Sequence, residues 1–167
     1  GPGPRGGGAR RGPRAVTLTL AEMAVAVLTT ADGRAKTALS HAHAAAWRTS
    51  REAGATLPIG RAEPPTRPAR PTRPELLPPR DVPRRRPGTR EGRIALLHAL
   101  AHIELNAVDL HWDIVARFAH VPMPLGFYDD WVKSADEESK HFNLLCDCLE
   151  SSGSFYGALP AHAFMWR

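Results

Sequence analysis

Two stretches decide the fold: Glu-Gly-Arg-Ile-Ala-Leu-Leu-His-Ala-Leu-Ala-His-Ile-Glu-Leu at residues 91–105 and Phe-Tyr-Asp-Asp-Trp-Val-Lys-Ser-Ala-Asp-Glu-Glu-Ser-Lys-His-Phe at residues 127–142. In both, apolar residues return every three or four positions, which is typical of amphipathic helices. The patterns continue to Phe118 and Leu149, and a short connection containing two prolines separates them. So short a connection makes the helices antiparallel neighbours. The sequence therefore predicts an all-α fold organised around this helix pair.

Three polar residues, Glu104, Glu138 and His141, interrupt the faces that should be apolar. A buried ionised carboxylate costs several kcal/mol unless it is paired, protonated or bound to a metal. Residues 138–141 read Glu-x-x-His, a spacing that places both side chains on one helical face within reach of one ion. Di-iron and di-manganese bundles use a Glu from each of two helices and Glu-x-x-His from each of two more. The three residues are therefore candidate ligands for iron, with manganese as an alternative and zinc left open.

The competing interpretation of this cluster is a buried ion pair or a hydrogen-bonded histidine without metal. Nearby acids and one histidine can support metal ligands, or can lie on a solvated face, and the sequence favours the solvated face: Asp109, Asp113, Asp136, Glu137 and His102. His98 and His102 share a face, but such a pair usually binds nothing. No catalytic residue or organic-cofactor site is identified, because the sequence has no phosphate-binding glycine loop, Cys-x-x-Cys or nucleophile elbow.

The chain divides by composition into four parts. Residues 1–15 form a disordered basic tail, 16–49 an N-terminal helical segment, 50–88 an extended linker rich in Pro and Arg, and 89–167 the helix pair with its tail. Residues 1–90 carry 17 Lys/Arg against 6 Asp/Glu, whereas residues 91–167 carry 5 against 11. A basic arm is thus attached to an acidic bundle. A solvated linker explains the arm best, and contact with RNA is the alternative.

Local signals set the helix ends. Thr17 or Thr19 can cap the N-terminal helix, with Glu22 placed to complete a capping box with Thr19, and Thr89 can cap the first long helix. Gly153 suits the position just past the second long helix. The pair Leu76-Leu77 indicates one docking point for the linker.

The two cysteines and the lack of a recognised targeting segment indicate the cellular compartment. Cys146 and Cys148 are two positions apart on a helix and point in different directions, so a mutual disulfide is not expected. No apolar run is long enough for a membrane span and no signal peptide is recognised. These features predict an intracellular, cytoplasmic protein. The chain opens on Gly rather than Met, which is expected of a fragment, a processed product or a cloning remnant.

Residues 91–162 resemble a ferritin-like family catalogued as domain of unknown function number four-five-five. Three segments carry the resemblance: Leu-His-Ala-Leu-Ala-His-Ile-Glu-Leu-Asn-Ala-Val-Asp-Leu (97–110), the stretch at 127–142 already quoted, and Gly-Ser-Phe-Tyr-Gly-Ala-Leu-Pro-Ala-His (153–162). The leading helix and the Pro/Arg stretch 67–86 look like the family's N-terminal region as well.

The resemblance implies a ferritin-like bundle with Glu104, Glu138 and His141 at ligand positions. It also implies kinship with di-iron carboxylate oxygenases such as tRNA-hydroxylating enzymes. The sequence departs from the family where it ends at Trp166-Arg167, because family members continue into a helix pair with a second Glu and a second Glu-x-x-His. The chain is thus expected to carry half of a two-metal site and about half of the bundle core.

Three functional hypotheses follow. The first is a di-iron or di-manganese oxidoreductase of unknown substrate, a monooxygenase among the options, whose site is shared between chains of a homodimer formed through exposed apolar helix faces. The second is a truncated remnant or a non-catalytic helical interaction module. The third has the basic arm hold tRNA near an oxidising centre. Metal content discriminates the first from the second.

Overall fold

The computed structural model describes residues 17–163, and these residues form an all-α bundle, as predicted. Four α-helices lie in this range: α1 (Leu20–Leu28), α2 (Gly33–Glu52), α3 (Arg90–Arg117) and α4 (Leu125–Ser151). Two-residue strands, β1 (Leu76–Leu77) and β2 (Ala161–His162), and a 3-10 turn at Pro79–Asp81 complete the regular structure. The predicted disorder of residues 1–15 and the aromatic tail residues Phe164 and Trp166 lie outside the described residues. None of the described helices has the length and apolarity needed to cross a membrane.

The predicted helix ends are confirmed. The Thr19 hydroxyl accepts a hydrogen bond from the Glu22 amide at 3.2 Å, and the Glu22 carboxylate accepts one from the Thr19 amide at 3.0 Å. The Thr89 hydroxyl accepts from the Gly92 amide at 3.0 Å. Gly153 is the second residue after the end of α4 and has a φ of +81°, a conformation that favours glycine. Each device satisfies backbone groups that a helix terminus leaves open.

The long helices α3 and α4 run antiparallel, and α1 and α2 pack on one side of the pair. The C-terminal half of α3 meets the N-terminal half of α4 and α1–α2 in one apolar cluster, which includes Trp47, Val108, Trp112, Tyr128 and Val132. The N-terminal half of α3 meets the C-terminal half of α4 in a second cluster of Ala101, Leu105, Phe142, Cys146 and Leu149. These clusters cover one side of α3–α4 and leave the other side to solvent.

The Pro-rich linker lies along the bundle. Backbone hydrogen bonds run from Leu20 and Ala21 to the carbonyls of Pro58 and Ile59, and from Ala69 to the carbonyl of Leu28. The Leu76-Leu77 docking point is confirmed, because β1 pairs in parallel with β2. Proline removes amide donors from such a segment, so the few remaining amides and carbonyls fix its path.

Candidate metal centre

Helices α3 and α4 bring Glu104, Glu138 and His141 together. One ligand atom from each lies within 4.8 Å of the others. The Nδ1 atom of His141 is 3.8 Å from Oε2 of Glu104 and 3.7 Å from Oε2 of Glu138. These separations exceed a hydrogen bond but match donors that share one ion, since metal–ligand bonds are about 2.0–2.2 Å long. Because α3 and α4 are antiparallel neighbours, Glu104 of α3 lies beside the turn of α4 that carries Glu138 and His141.

One carboxylate oxygen of this cluster lacks a hydrogen-bond partner, which supports binding of a cation. Oε2 of Glu104 is buried and has no hydrogen-bond partner among the described residues. The side chains of Glu104 and Glu138 are each 22% exposed, and that of His141 is 53% exposed. Two carboxylates this close repel each other, and within the described residues no Lys or Arg ion pair reaches either one. A divalent cation would relieve the repulsion and ligate the unpaired oxygen, so the donor set fits iron or manganese.

Beside the cluster, α3 presents an uncovered face. We use this name for a stripe of apolar residues at helical spacing: Leu96, Leu100, Ile103, Ala107, Leu110 and Ile114. Leu96 is 61% exposed and Ile103 48% exposed. Leu100 and Ala107 are one turn on either side of Glu104, so the stripe borders the candidate ligands. An apolar stripe of this extent normally packs against another element.

The acids predicted to be solvated are buried, which corrects the sequence analysis. Asp109 pairs with Lys36, and both side chains are almost fully buried. Asp113 forms two hydrogen bonds with Arg117, at 2.8 and 3.0 Å. Burial raises the pKa of the Asp109 carboxyl to about 6 against the opposing effect of Lys36. Lys36 of α2 is the partner that lets Asp109 be buried, whereas the partner of Asp113 is Arg117, one turn further along α3 itself.

On α4, Asp136 is also buried, whereas Glu137 is exposed as expected. The Asp136 carboxylate is 2.6 Å from Nδ1 of His41 and 3.4 Å from Nζ of Lys140. Because Asp136 has side-chain partners of its own, it is bound into the α2–α4 contact. Among the described residues, none of its ion-pair partners is a candidate ligand.

His98 and His102 hold the C-terminal segment and are not paired for a metal. The His162 carbonyl can only accept, so Nε2 of His102 donates to it at 2.9 Å, and Nδ1 of the neutral ring accepts from the Tyr156 hydroxyl at 3.0 Å. Nε2 of His98 accepts from the Gly157 amide at 3.0 Å. Burial lowers the pKa of His98 to about 4 and lowers that of His102 as well. Both rings are therefore neutral at physiological pH.

One histidine on the side of α3 that faces α4 was not singled out by the sequence. His111 lies two turns from Glu104 on α3, and its Nδ1 is buried without a hydrogen-bond partner among the described residues. Its ring centroid is 5.2 Å from that of Trp131 on α4. The three-to-four-residue spacing of apolar positions in α3 includes His111, so the sequence could have identified it as facing α4. A histidine at such a position is usually a packing residue. The contact with Trp131 fits that role.

Comparison with known proteins supports the resemblance noted in the sequence. A family model described as "Protein of unknown function (DUF455)" matches residues 29–167. An uncharacterized protein of Haemophilus influenzae is 44% identical over 102 residues, which amount to 58% of this chain and 35% of that relative. The matched part thus spans about a third of the length of the curated relative. No solved structure matches.

Proposed function

Because the chain belongs to the family of unknown function whose model matches residues 29–167, we propose that it carries one half of a di-iron or di-manganese carboxylate centre in a ferritin-like bundle. The observation that carries the proposal is the convergence of Glu104, Glu138 and His141 from two helices, with the Oε2 atom of Glu104 left unpartnered. One Glu plus one Glu-x-x-His is half of the ligand set that di-metal bundles use.

The charges support one divalent ion per half site. Two glutamates supply two negative charges, which one divalent cation neutralises, and a complete set of four glutamates would balance two such ions. Glu104 and Glu138 would hold the metal through carboxylate oxygens, and His141 would hold it through a ring nitrogen. Bound iron would supply redox chemistry with dioxygen, and the surrounding helices would exclude water from it. The proposed class is therefore an oxidoreductase.

The second half of the site must come from another helix pair. A second copy of this chain would supply it if two α3–α4 pairs met across a two-fold axis, since each copy would add an identical Glu and Glu-x-x-His. The uncovered face favours this arrangement, because both apolar stripes would then be buried around the ligands. In a longer relative, further residues of the same chain would take that place.

Metal content and particle mass, measured together, test the proposal. After anaerobic loading with Fe(II) or Mn(II) and removal of free ion, the purified protein should hold about one metal per chain and sediment as a dimer. Glu138→Ala should empty the site. Glu137→Ala is the matched control: it removes the neighbouring, exposed carboxylate on the same helix and should leave metal content unchanged. Equal metal content in the two variants, or a monomer that takes up no metal, would contradict the proposal for this chain.

An interaction module without metal is the second candidate, and the exposed apolar stripe of α3 is the observation that favours it. A dimer that forms equally well with and without metal, and in Glu138→Ala, would favour this alternative. Contact of the basic arm with RNA stays a prediction. It requires binding that weakens steeply with salt, because each phosphate contact releases counterions.

A further inference from the structure

A cleft on the other side of α3 from α4 has the composition of a small-molecule site. It has a volume of about 370 Å³ and lies between α3, the linker and the C-terminal segment. Apolar side chains from all three elements line it, including Val82, Ala99, Ile103, Leu159 and Pro160. Volumes of about 300–1,000 Å³ with mostly apolar walls and a few polar groups are typical of small-molecule sites.

Two polar side chains of the cleft, Arg85 and His98, can donate hydrogen bonds into it. Arg85 lines the cleft, and among the described residues it has no ion pair and no hydrogen-bond partner. His98 also lines the cleft and is 1% exposed. Because Nε2 of His98 accepts from the Gly157 amide, the neutral ring carries its proton on Nδ1, which has no partner among the described residues. None of the described residues that line the cleft is an Asp or Glu.

We propose that this cleft binds a small amphiphile with one anionic group, of the class of a medium-chain carboxylate, with the anion held by Arg85 and the Nδ1–H of His98. The apolar walls take the hydrocarbon part, and the guanidinium and imidazole donors take the carboxylate. The second donor, His98, is fixed in place because its other nitrogen is already bound to the Gly157 amide. The assignment does not depend on a metal at Glu104, Glu138 and His141.

Titrations followed by amide chemical shifts test the assignment on the full chain with three probes: octanoate, 1-octanol and acetate. Octanoate should shift the amides around Ala99 and Pro160 and the Nδ1–H signal of His98. Octanol lacks the charge and should bind about tenfold more weakly, and acetate lacks the buried chain and should bind more than about a hundredfold more weakly. Equal binding of octanoate and octanol, or of octanoate and acetate, would overturn the assigned ligand class.

Matched variants locate the site. Arg85→Gln should weaken octanoate about tenfold and leave octanol unchanged, whereas Arg84→Gln, at a neighbouring exposed residue outside the cleft, should change neither. Ala99→Phe should fill the cleft and abolish octanoate binding. Glu138→Ala should retain it, which separates this proposal from that of the metal centre. Equal effects of the two arginine variants, shifts confined to Ala107 and Leu110 of the uncovered face, or no binding at about 10 mM octanoate would overturn it.

Discussion

The two sides of the α3–α4 pair differ in whether their carboxylates have cationic side-chain partners. On the side covered by α1 and α2, buried acids have side-chain partners: Asp109 pairs with Lys36, and Asp136 contacts His41 and Lys140. On the open side, Glu104 and Glu138 lie close together without a lysine or arginine partner among the described residues. Acids that stabilise the fold are matched by cations of the chain itself. The unmatched pair is where we propose that an external cation binds.

The largest expected effect is on the covered side. Lys36→Met leaves the Asp109 carboxylate buried without its ammonium partner and should lower the free energy of unfolding by about 3–5 kcal/mol. Urea denaturation at about pH 7 measures the loss. Lys133→Met, at an exposed lysine of α4, is the control and should change stability by less than about 0.5 kcal/mol.

A second variant separates the loss of the pair from the loss of packing. Lys36→Met combined with Asp109→Leu removes both charges from an interior site, so it should recover most of the stability that the single variant loses. If the single variant costs less than about 1 kcal/mol, the pair is not what fixes α2 against α3.

Two leucines sharpen the comparison between the covered and the open side. Leu149 is fully buried in the second apolar cluster, and Leu149→Ala should lower the free energy of unfolding by about 2–5 kcal/mol. Leu96 is 61% exposed on the uncovered face, and Leu96→Ala should cost less than about 0.5 kcal/mol in dilute protein without metal. Denaturation at two protein concentrations checks both values. A large, concentration-dependent loss for Leu96→Ala in metal-loaded protein would mean that a second copy covers this face.

Acid should destabilise the contact between α3 and the C-terminal segment through the neutral histidines His98 and His102. The pKa of His98 is lowered to about 4 in the folded chain, against an ordinary value of 6.5, because the ring is buried beside His102. The unfolded chain therefore binds the proton first. The contribution to stability is complete above pH 6.5 and is lost as the pH falls towards about 4, at up to about 1.4 kcal/mol per pH unit.

His98→Gln tests this dependence, because its side-chain oxygen can still accept from the Gly157 amide but does not titrate. Stability measured between about pH 7 and pH 5 should fall less steeply in the variant than in the parent. His120→Gln, at an exposed histidine, should keep the parent slope. Parallel slopes for His98→Gln and the parent would show that other groups dominate acid unfolding.

The sequence predicted those features that depend on the local hydrophobic period and on residue spacing. The bounds of α3 and α4, the caps at Thr19 and Thr89, and the docking of Leu76-Leu77 follow from patterns within a few residues. The meeting of Glu104 with Glu138 and His141 also follows, because the connection between the helices is short enough to set their register. The role of these three residues as metal ligands stays a prediction.

The sequence misjudged Asp109, Asp113 and Asp136 for a different reason. Their position off the apolar stripe indicates solvent only if nothing else covers that side of the helix pair. The partner of Asp109 is Lys36, 73 positions earlier on another helix, and no local pattern links the two. Sequence period therefore identifies which face of a helix is apolar, but not which polar face another helix covers.

The smallest expected effect is at the open side. Without metal, Glu104→Gln removes one of two repelling carboxylates, so the free energy of unfolding should stay within about 0.5 kcal/mol of the parent or rise slightly. Measurement in a chelating buffer checks this value. Adding Fe(II) or Mn(II) at about 100 times the dissociation constant should then stabilise the parent by about 2.7 kcal/mol.

The same addition should do little for Glu104→Gln, because the variant lacks one of the three donors. A loss of several kcal/mol in chelating buffer would place Glu104 among the acids that hold the fold together. The open side would then differ from the covered side only in exposure. If Glu104→Gln leaves the free energy of unfolding unchanged without metal and abolishes the stabilisation by metal, the two sides differ in role. The covered side then stabilises the chain, and the open side binds an external cation.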